Sequence, residues 1–156
     1  MLNYRYPAII HNPAAAGGKA KRRFKIYYDK LVKSGIFEKI DIFETSTKDQ
    51  ALTTIENICN NQKNDLIISI GGDGTISTTI NGIMRAKKEY RLPLFPLPSG
   101  SGNSLLRDFG ITSVDKAIKN YQKLQKSRLY DIFLTEEING SFKWYCINII
   151  GMGFIS

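Results

Sequence analysis

The sequence predicts an α/β fold in which a parallel sheet carries helices on both faces. Short apolar runs alternate four times with amphipathic helical patterns, which is typical of parallel strands joined by helical crossovers. The chain has 156 residues, of which 42% are hydrophobic and 23% charged, so it can build one ordinary core. Beyond residue 128 the alternation stops, and an antiparallel pattern begins.

Each predicted element follows from its local pattern. Four strands are predicted over residues 6–10, 36–43, 66–70 and 94–97. The second helix begins with Thr47 and Gln50, which suit a capping box, and the third extends from a glycine-rich loop to about Lys88. A short helical piece surrounds Leu105 and Leu106, and apolar spacing predicts a last helix over 114–124.

Two further strands are predicted near the end of the chain, over 129–136 and 141–150. Asn139-Gly140 lies between them and favours a type I′ hairpin turn. We therefore predict an α/β domain over 1–128 and the start of a second, β-sandwich domain over 129–156. Because the second part is too short for a sandwich, we expect this chain to be the front part of a longer protein.

The stretch Gly71-Gly-Asp-Gly-Thr75 directly follows the most apolar strand and opens a helix. Glycines allow a ligand to approach the backbone closely, and the first N–H groups of a helix attract anions. This layout predicts a phosphate site. Asp73 would repel phosphate by itself, so it suits a Mg²⁺ partner, an acceptor for a hydroxyl, or a base. The simpler alternative is a tight strand–helix turn in which Asp73 is an N-terminal cap.

Polar loops follow all four predicted strands. In open parallel sheets, ligands bind beyond the carboxyl ends of the strands. Those ends hold Asn12, Thr45, Gly71 to Thr75 and Ser99 to Asn103. Their convergence on one edge predicts a binding site without reference to any family. His11, the single histidine, ends the first strand and is expected to be structural.

Composition excludes several functional classes. No apolar run has the ~18 residues of a membrane span, and the N-terminus lacks a signal-peptide core, so we expect a cytoplasmic protein. Cys59 and Cys146 have no metal-ligand or disulfide pattern and are expected to be reduced. Much of the net charge of +8 lies in 19–25, with more at Arg85, Lys87 and Lys88 and along 116–128. No nucleic-acid module accompanies it, and the lysines of 116–128 are interpreted mainly as a solvated face.

Five motifs in order resemble the catalytic domain of the diacylglycerol/sphingosine lipid kinases. They are Asn12-Pro13 with Gly18-Lys19-Ala20, Thr45 with Ala51, Gly71-Gly-Asp-Gly-Thr75 with Asn81-Gly82, Pro98-Ser-Gly-Ser-Gly-Asn103, and Asn148-Ile-Ile-Gly-Met-Gly-Phe154. NAD kinases and 6-phosphofructokinases share the Gly-Gly-Asp-Gly element, and the resemblance implies an N-terminal domain of that kind. The early Asn-Pro loop and the Ser-Gly-Asn loop favour the lipid kinases.

The resemblance implies a kinase that uses ATP and Mg²⁺ on a lipid acceptor at a membrane surface, with the protein cytoplasmic or peripheral. Asp73 is the implied catalytic residue, and no metal ligands are assigned within the chain. A homo-oligomer stays open, and nucleic acid is not an expected partner. The implied nucleotide-binding residues are Asn12, Pro13, Ala14, Ala15, Ala16, Lys19, Thr45, Gly71, Gly72, Asp73, Gly74, Thr75, Thr78, Ser101 and Asn103.

Two departures from the family pattern keep alternatives open. Thr78 stands where the family usually has Glu, and Ala15 and Ala16 replace small Ser or Gly residues of the first loop. These departures favour a nucleotide-binding domain without catalysis as one alternative, and the shared Gly-Gly-Asp-Gly element leaves an NAD-kinase-like enzyme as another. Some family members take their general base and a structural Mg²⁺ site from the second domain, so we expect residues 1–156 alone to transfer no phosphate.

Overall fold

The computed structural model describes residues 4–13, 19–124, 126–140 and 142–147. Its parallel strands are β1 (Pro7–His11), β2 (Asp41–Glu44), β3 (Leu66–Gly71) and β4 (Leu94–Pro98). The helices are α1 (Lys19–Ser34), α2 (Lys48–Asn61), α3 (Asp73–Arg85), α4 (Ser104–Asp108) and α5 (Val114–Lys123). A 3₁₀ turn covers Lys88–Tyr90, and β5 (Phe133–Glu136) pairs antiparallel with β6 (Lys143–Cys146).

The four parallel strands lie in the order β2-β1-β3-β4, which confirms the predicted α/β class. Register runs Ile9 to Ile42 on one side of β1 and Ile9 to Ile68 on the other. From β1 the chain moves outward to β2, and it then crosses back to β3 on the opposite side of β1. The direction in which successive strands are added to the sheet therefore reverses between β1 and β3. In parallel sheets of this kind the binding crevice lies at that point, beyond the carboxyl ends of the strands.

The core consists of two apolar layers that cover opposite faces of the sheet. On one face Leu66, Ile68 and Ile70 of β3 pack with α1 and α5, whose contributions include Leu31 and Tyr121. On the other face Ile67 packs with residues of α2 and α3, including Ile55 and Ile83. The alternation along β3 explains why a strand buried on both sides reads as one continuous apolar run.

The second strand is shorter than predicted, and it begins at Asp41 and not at residue 36. The N–H groups of Glu38 and Lys39 both donate to the carbonyl of Arg5, so the chain turns there. Ile36, Phe37 and Ile40 are apolar because they pack on the α1/α5 core layer. An apolar run of this kind is typical of a strand, but here the residues are partly buried without forming one.

Two helix and strand ends and one predicted cap also differ from the predictions. Helix α3 ends at Arg85 because Ala86 is extended, and β5 begins at Phe133, four residues later than predicted. The capping box of α2 is incomplete. Thr47 accepts from the N–H of Gln50, but the Gln50 side chain accepts from the N–H of Ser46 and not from that of Thr47.

The predicted hairpin is present, but its turn is not type I′. That turn needs positive φ at two consecutive residues, and only Gly140 has one, at 73°. The N–H of Gly140 donates to the carbonyl of Glu137, and the N–H of Glu137 donates to Phe142. Pairing of Glu136 with Lys143 leaves a longer connection than a two-residue turn. The strand predicted to continue to residue 150 lies outside the described residues beyond 147.

Cys59 and Cys146 are both buried, and neither belongs to a disulfide in the part of the chain that the structure describes. Within the described ranges, no helix is both long and apolar enough to cross a membrane.

Candidate nucleotide site

The carboxyl ends of the four strands bring the predicted loops to one edge of the sheet. The loop after β1 leads to α1 on one face, and the loop after β3 leads to α3 on the other face. The ends of β1 and β3 therefore flank the crevice, with Thr45 beyond β1 and residues 99–103 beyond β3. The N–H of Ser99 donates to the carbonyl of Gly71 at 2.9 Å, so the last two loops are directly bonded.

The Asp73 side chain connects these two loops. Its Oδ2 accepts from the N–H of Ser104 at 3.0 Å, and its Oδ1 accepts from the N–H of Leu105 at 3.2 Å. These are first-turn N–H groups of α4, which otherwise has no side-chain cap. Asp73 makes no cap for its own helix, because the N-cap of α3 is Gly72. The alternative in which Asp73 is the N-terminal cap of α3 is therefore wrong. The carboxylate instead caps the N-terminus of α4.

Two glycines let these loops touch through their backbones. A Cβ placed on Gly72 would lie 3.1 Å from the Cα of Gly100, and a Cβ on Gly100 would lie 2.5 Å from the Cα of Gly72. Gly71 is also restricted, because its Cβ would overlap the Thr75 side chain at 2.2 Å. These glycines are needed for packing between protein segments.

Gly74 is different because a Cβ there would meet nothing within 4 Å. It is exposed and lies in the first turn of α3, beside Asp73. Unpaired N–H groups and the positive end of the helix dipole face outward at such a position. Among the described glycines at this edge of the sheet, Gly74 is the one whose missing side chain leaves open space for an anionic ligand.

Asn103 organises the loop after β4 from within. It has a left-handed backbone, with φ 53°, and its carboxamide pairs twice with Gly100. Its Oδ1 accepts from the Gly100 N–H at 2.9 Å, and its Nδ2 donates to the Gly100 carbonyl at 2.8 Å. The side chain is thus occupied inside the loop, whereas Ser101 at the tip is exposed.

Helix α1 supports the same loop with two side chains that sequence reasoning missed. The Tyr27 hydroxyl donates to the carbonyl of Pro98 at 2.5 Å, and the Arg23 guanidinium donates to the carbonyl of Ser99. Burial raises the pKa of Tyr27, so the phenol keeps the proton that it donates. Arg23 lies in a basic run that suggests a surface, and nothing in its sequence neighbourhood indicates this partner.

The family model of the diacylglycerol kinase catalytic domain matches residues 7–135. This chain belongs to that family. It is 27% identical to "Sphingoid long-chain bases kinase 1" of Arabidopsis thaliana over 154 residues, covering 95% of this chain and 20% of that protein. It also resembles a diacylglycerol kinase from Bacillus anthracis str. Sterne, with a TM-score of 0.64, 27% identity, and coverage of 79% of this chain and 41% of that one. The chain thus spans well under half of either relative.

Several residues implied by the kinase family make hydrogen bonds within the protein at this edge. Thr45 is buried, its N–H donates to the carbonyl of His11 at 2.8 Å, and its hydroxyl faces the same carbonyl at 3.5 Å. The Thr78 hydroxyl donates to the Gly74 carbonyl at 3.0 Å, inside its own helix. Asn12 lies at the end of β1 and donates weakly to Ser46.

The remaining implied residues belong to the loop after β1. Pro13 closes the described part of that loop, and Lys19 begins α1. The predictions for Ala14, Ala15 and Ala16 lie outside the described residues. So does the Asn148–Phe154 motif that contributes to the family resemblance.

Asn81 of this kinase-family chain has a structural role that its sequence position did not reveal. It is 3% exposed, and its carboxamide pairs with the backbone of Tyr145 in β6 through two 2.8 Å bonds. Beside it, the Trp144 indole donates to the Ser77 hydroxyl at 3.2 Å, and the Lys48 ammonium lies 3.8 Å from the Trp144 ring centroid. The hairpin is thereby bound to α3, the helix that begins at Asp73.

The described residues contain no cluster of three or more metal-ligating side chains of the His, Cys, Asp or Glu type. Mg²⁺ in kinases is held by one or two carboxylates together with substrate phosphates, so it needs no such cluster. Asp73 fits that requirement in part. Each of its oxygens accepts one backbone N–H, which leaves further lone pairs on both.

Proposed function

We propose that this chain is the nucleotide-binding part of an ATP-dependent lipid kinase, which transfers the γ-phosphate of ATP to a lipid hydroxyl. The observation that carries the proposal is the pairing of open backbone at Gly74 with the carboxylate of Asp73 at the first turn of α3. Family membership supports it and favours it over an NAD-kinase-like enzyme. The chain covers less than half the length of the relatives described above. Accordingly, residues 1–128 are the proposed nucleotide domain, and residues 129–156 are the proposed start of a second, β-sandwich domain.

In this proposal the phosphates lie against the first turn of α3 and the loops beside it. Backbone N–H groups at a helix N-terminus bind anions and need no reorganisation, which suits a reaction dominated by alignment and charge neutralisation. Lys19 would add a positive charge from the start of α1. The proposed nucleotide contacts are Asn12, Pro13, Ala14, Ala15, Ala16, Lys19, Thr45, Gly71, Gly72, Asp73, Gly74, Thr75, Thr78, Ser101 and Asn103.

Asp73 is the proposed catalytic residue. Its carboxylate either takes the proton of the acceptor hydroxyl or orients ATP, and Mg²⁺ bound to the phosphates would neutralise their charge. The acceptor is proposed to be a lipid at a membrane surface. Because a second domain is proposed to complete the cleft and to supply a further acid, we expect residues 1–156 alone to bind nucleotide weakly and to transfer no phosphate. Robust lipid phosphorylation by this chain would contradict that expectation.

A domain that binds nucleotide without catalysis is the second candidate. It is favoured by Thr78, whose hydroxyl is occupied within α3, and by Asp73, whose two oxygens already accept from α4. A panel of lipid acceptors separates the two candidates when it is assayed with ATP and a full-length protein that contains this chain. ATP consumption with one acceptor class supports the kinase, and binding without consumption supports the second candidate.

The nucleotide site itself is tested by Gly74→Val, with titration calorimetry of Mg²⁺·ATP. We expect affinity to fall roughly tenfold or more, because the side chain would displace phosphate from charge-assisted N–H bonds. Gly72→Val is less informative, since its side chain would also push Gly100 away. Lys116→Val, in the first turn of α5, is the matched control for a β-branched residue in a helix. If a folded Gly74→Val variant binds Mg²⁺·ATP with unchanged affinity, the proposed site is wrong.

A further inference from the structure

Trp144 lies where three separate elements of the structure meet. Its indole N–H, on β6, donates to the Ser77 hydroxyl in the second turn of α3 at 3.2 Å. The Lys48 ammonium lies 3.8 Å from the centroid of its ring, and Lys48 is the first residue of α2. Helices α2 and α3 follow β2 and β3, whose carboxyl ends lie on either side of β1. The indole therefore spans the gap between the starts of these two helices, beside the candidate nucleotide site.

The position of Lys48 is unfavourable for helix α2. A positive charge is disfavoured in the first turn of a helix, because the positive end of the helix dipole lies there. Among the described residues, no carboxylate forms an ion pair with Lys48. Its side chain is exposed and lies over the Trp144 ring, and such exposed contacts between a cation and a ring are weak. A flat ligand can therefore displace the ammonium from the ring, and the ammonium then lies beside that ligand.

An aromatic ring at this place suits one part of a nucleotide, which is its base. Bases stack on aromatic side chains, whereas the partial negative charge on the face of a ring does not attract phosphate. Gly74, where phosphate is proposed to bind, precedes Ser77 by three residues, which is about 4.5 Å along α3. A phosphate at Gly74 and a base on Trp144 therefore lie within the span of one nucleotide.

We propose that Trp144 contacts the base of the nucleotide and stacks on the purine ring of ATP. The inference rests on the proposed function, and it extends that function by giving the β5–β6 hairpin a part in nucleotide recognition. The hairpin is fixed for this role, because Asn81 binds the backbone of Tyr145 through two 2.8 Å bonds. The indole is thus held in place by its own N–H and by the backbone of its neighbour. A tryptophan that only docked the hairpin would affect ATP and inorganic tripolyphosphate alike.

The test compares Mg²⁺·ATP with Mg²⁺·tripolyphosphate, which has the same row of phosphates without a nucleoside. Titration calorimetry of the 156-residue chain should show ATP binding about tenfold more tightly, because one stacked base contributes about that factor. Trp144→Leu should remove most of this preference, and Trp144→Phe, which keeps a smaller ring, should retain part of it. Affinity for tripolyphosphate should stay the same in both variants. Phe133→Leu is the matched control, since Phe133 is a 70% exposed aromatic residue on the other strand of the hairpin.

Trp144 is the single tryptophan, so its fluorescence gives a second measurement that needs no variant. ATP should change the emission, and tripolyphosphate should change it much less. Equal affinity of the native chain for the two ligands would overturn the inference. A folded Trp144→Leu variant that keeps the preference for ATP, or that loses affinity for both ligands equally, would also overturn it. Failure of the proposed function is distinguishable, because it would appear as unchanged ATP affinity in Gly74→Val.

Discussion

At the scale of single residues, the carboxylate of Asp73 has two roles, one structural and one proposed for catalysis. It accepts N–H groups from Ser104 and Leu105, and in the proposed mechanism it also faces the reacting groups. Because α4 holds the carboxylate at two points, its rotamer is set before any substrate binds. Such preorganisation is what a catalytic group needs, since a side chain that must first reorient costs rate.

Asp73→Asn should separate these two roles. The amide keeps one oxygen for α4 and presents an NH₂ where the second oxygen was, so we expect a stability loss of about 1 kcal/mol. Turnover in a full-length protein should fall roughly 10²-fold or more if the carboxylate is the base. Urea denaturation and an ATP-consumption assay measure the two effects. Activity within a few-fold of the native enzyme would leave Asp73 with its capping role alone.

His11 makes stability depend on pH. It is buried and stacks on Phe24 with ring centroids 4.1 Å apart, and burial lowers its pKa below 6.5 despite the opposing charge of Glu44. Below pH 6.5 the unfolded chain takes up a proton that the native chain does not, so stability falls as pH falls.

The loss should begin near pH 6.5 and end below the native pKa, with a slope of at most about 1.4 kcal/mol per pH unit. Urea midpoints measured from about pH 7.5 to pH 5 follow it, a window above the usual range of carboxylates. His11→Phe keeps a flat ring against Phe24 and should remove most of the slope. A slope that persists in the variant would assign the effect to another group.

At the scale of elements, α3 serves both the crevice and the hairpin. Its first turn carries Asp73 and Gly74, and two turns later Asn81 binds β6 through the backbone of Tyr145. Gly82 follows because a Cβ there would meet Ile55 of α2 at 2.7 Å. Gly82 is thus explained by the close packing of α3 on α2, and Asn81 by its hydrogen bonds to the backbone of β6.

Asn81→Ala should release the hairpin from α3. It removes two bonds to the half-buried backbone of Tyr145 and leaves that N–H and carbonyl without their partner, at a cost of up to about 1–3 kcal/mol for each group unless the hairpin moves away. Trp144 is the single tryptophan, so its fluorescence should shift to the red and the Tyr145 amide should exchange faster. Asn61→Ala, at the exposed end of α2, is the control. An unshifted Trp144 spectrum would contradict the docking role of Asn81.

The sequence predicts elements well where periodicity and burial agree. Ile67 and Ile68 face opposite core layers, so their apolar run correctly indicated a central strand. It misleads where burial occurs without regular structure, as at Ile36 and Phe37. Local turn preference fails at Asn139, because the pairing of the flanking strands determines the connection.

The parts of the site that the sequence left open depend on distant contacts. The convergence of four loops follows from strand direction alone, so it could be predicted. The partners of Asp73 lie 31 and 32 residues away, and the partner of Asn81 lies 64 residues away. No local pattern contains those distances. Arg23 is similar, since a basic run looks the same whether one of its members faces solvent or a loop carbonyl.

At the scale of the whole molecule, the two larger core clusters are formed within residues 4–121, without the hairpin. A third cluster joins Ile76, Ile80, Leu105 and Leu106 to the partly buried Ile132, Tyr145 and Ile147. The α/β part therefore holds most of the burial that stabilises it. The hairpin depends on α3 and α4 for its own burial, because a lone two-stranded sheet is marginal in water.

A chain ending at residue 128 should consequently fold. We expect a far-UV spectrum of α/β type and one cooperative urea transition, at a lower midpoint than that of the 156-residue chain because Ile76 and Leu105 become exposed. Circular dichroism and urea denaturation of both chains make the comparison. A non-cooperative transition in the shorter chain would show that the boundary at 128 is misplaced.

The contact of Gly72 with Gly100 has a consequence for how this molecule can change over time. Neither residue has room for a Cβ, because the backbone of the other occupies that space. A first substitution at either position therefore lowers stability, whichever residue is introduced. A second substitution cannot restore the fit by shrinking its neighbour, since glycine is already the smallest residue. The pair is therefore a mutational dead end, and the two loops must keep their mutual distance through every other change in the sequence. Variation in substrate preference has to arise around them, at positions such as Ser101 whose side chains are exposed.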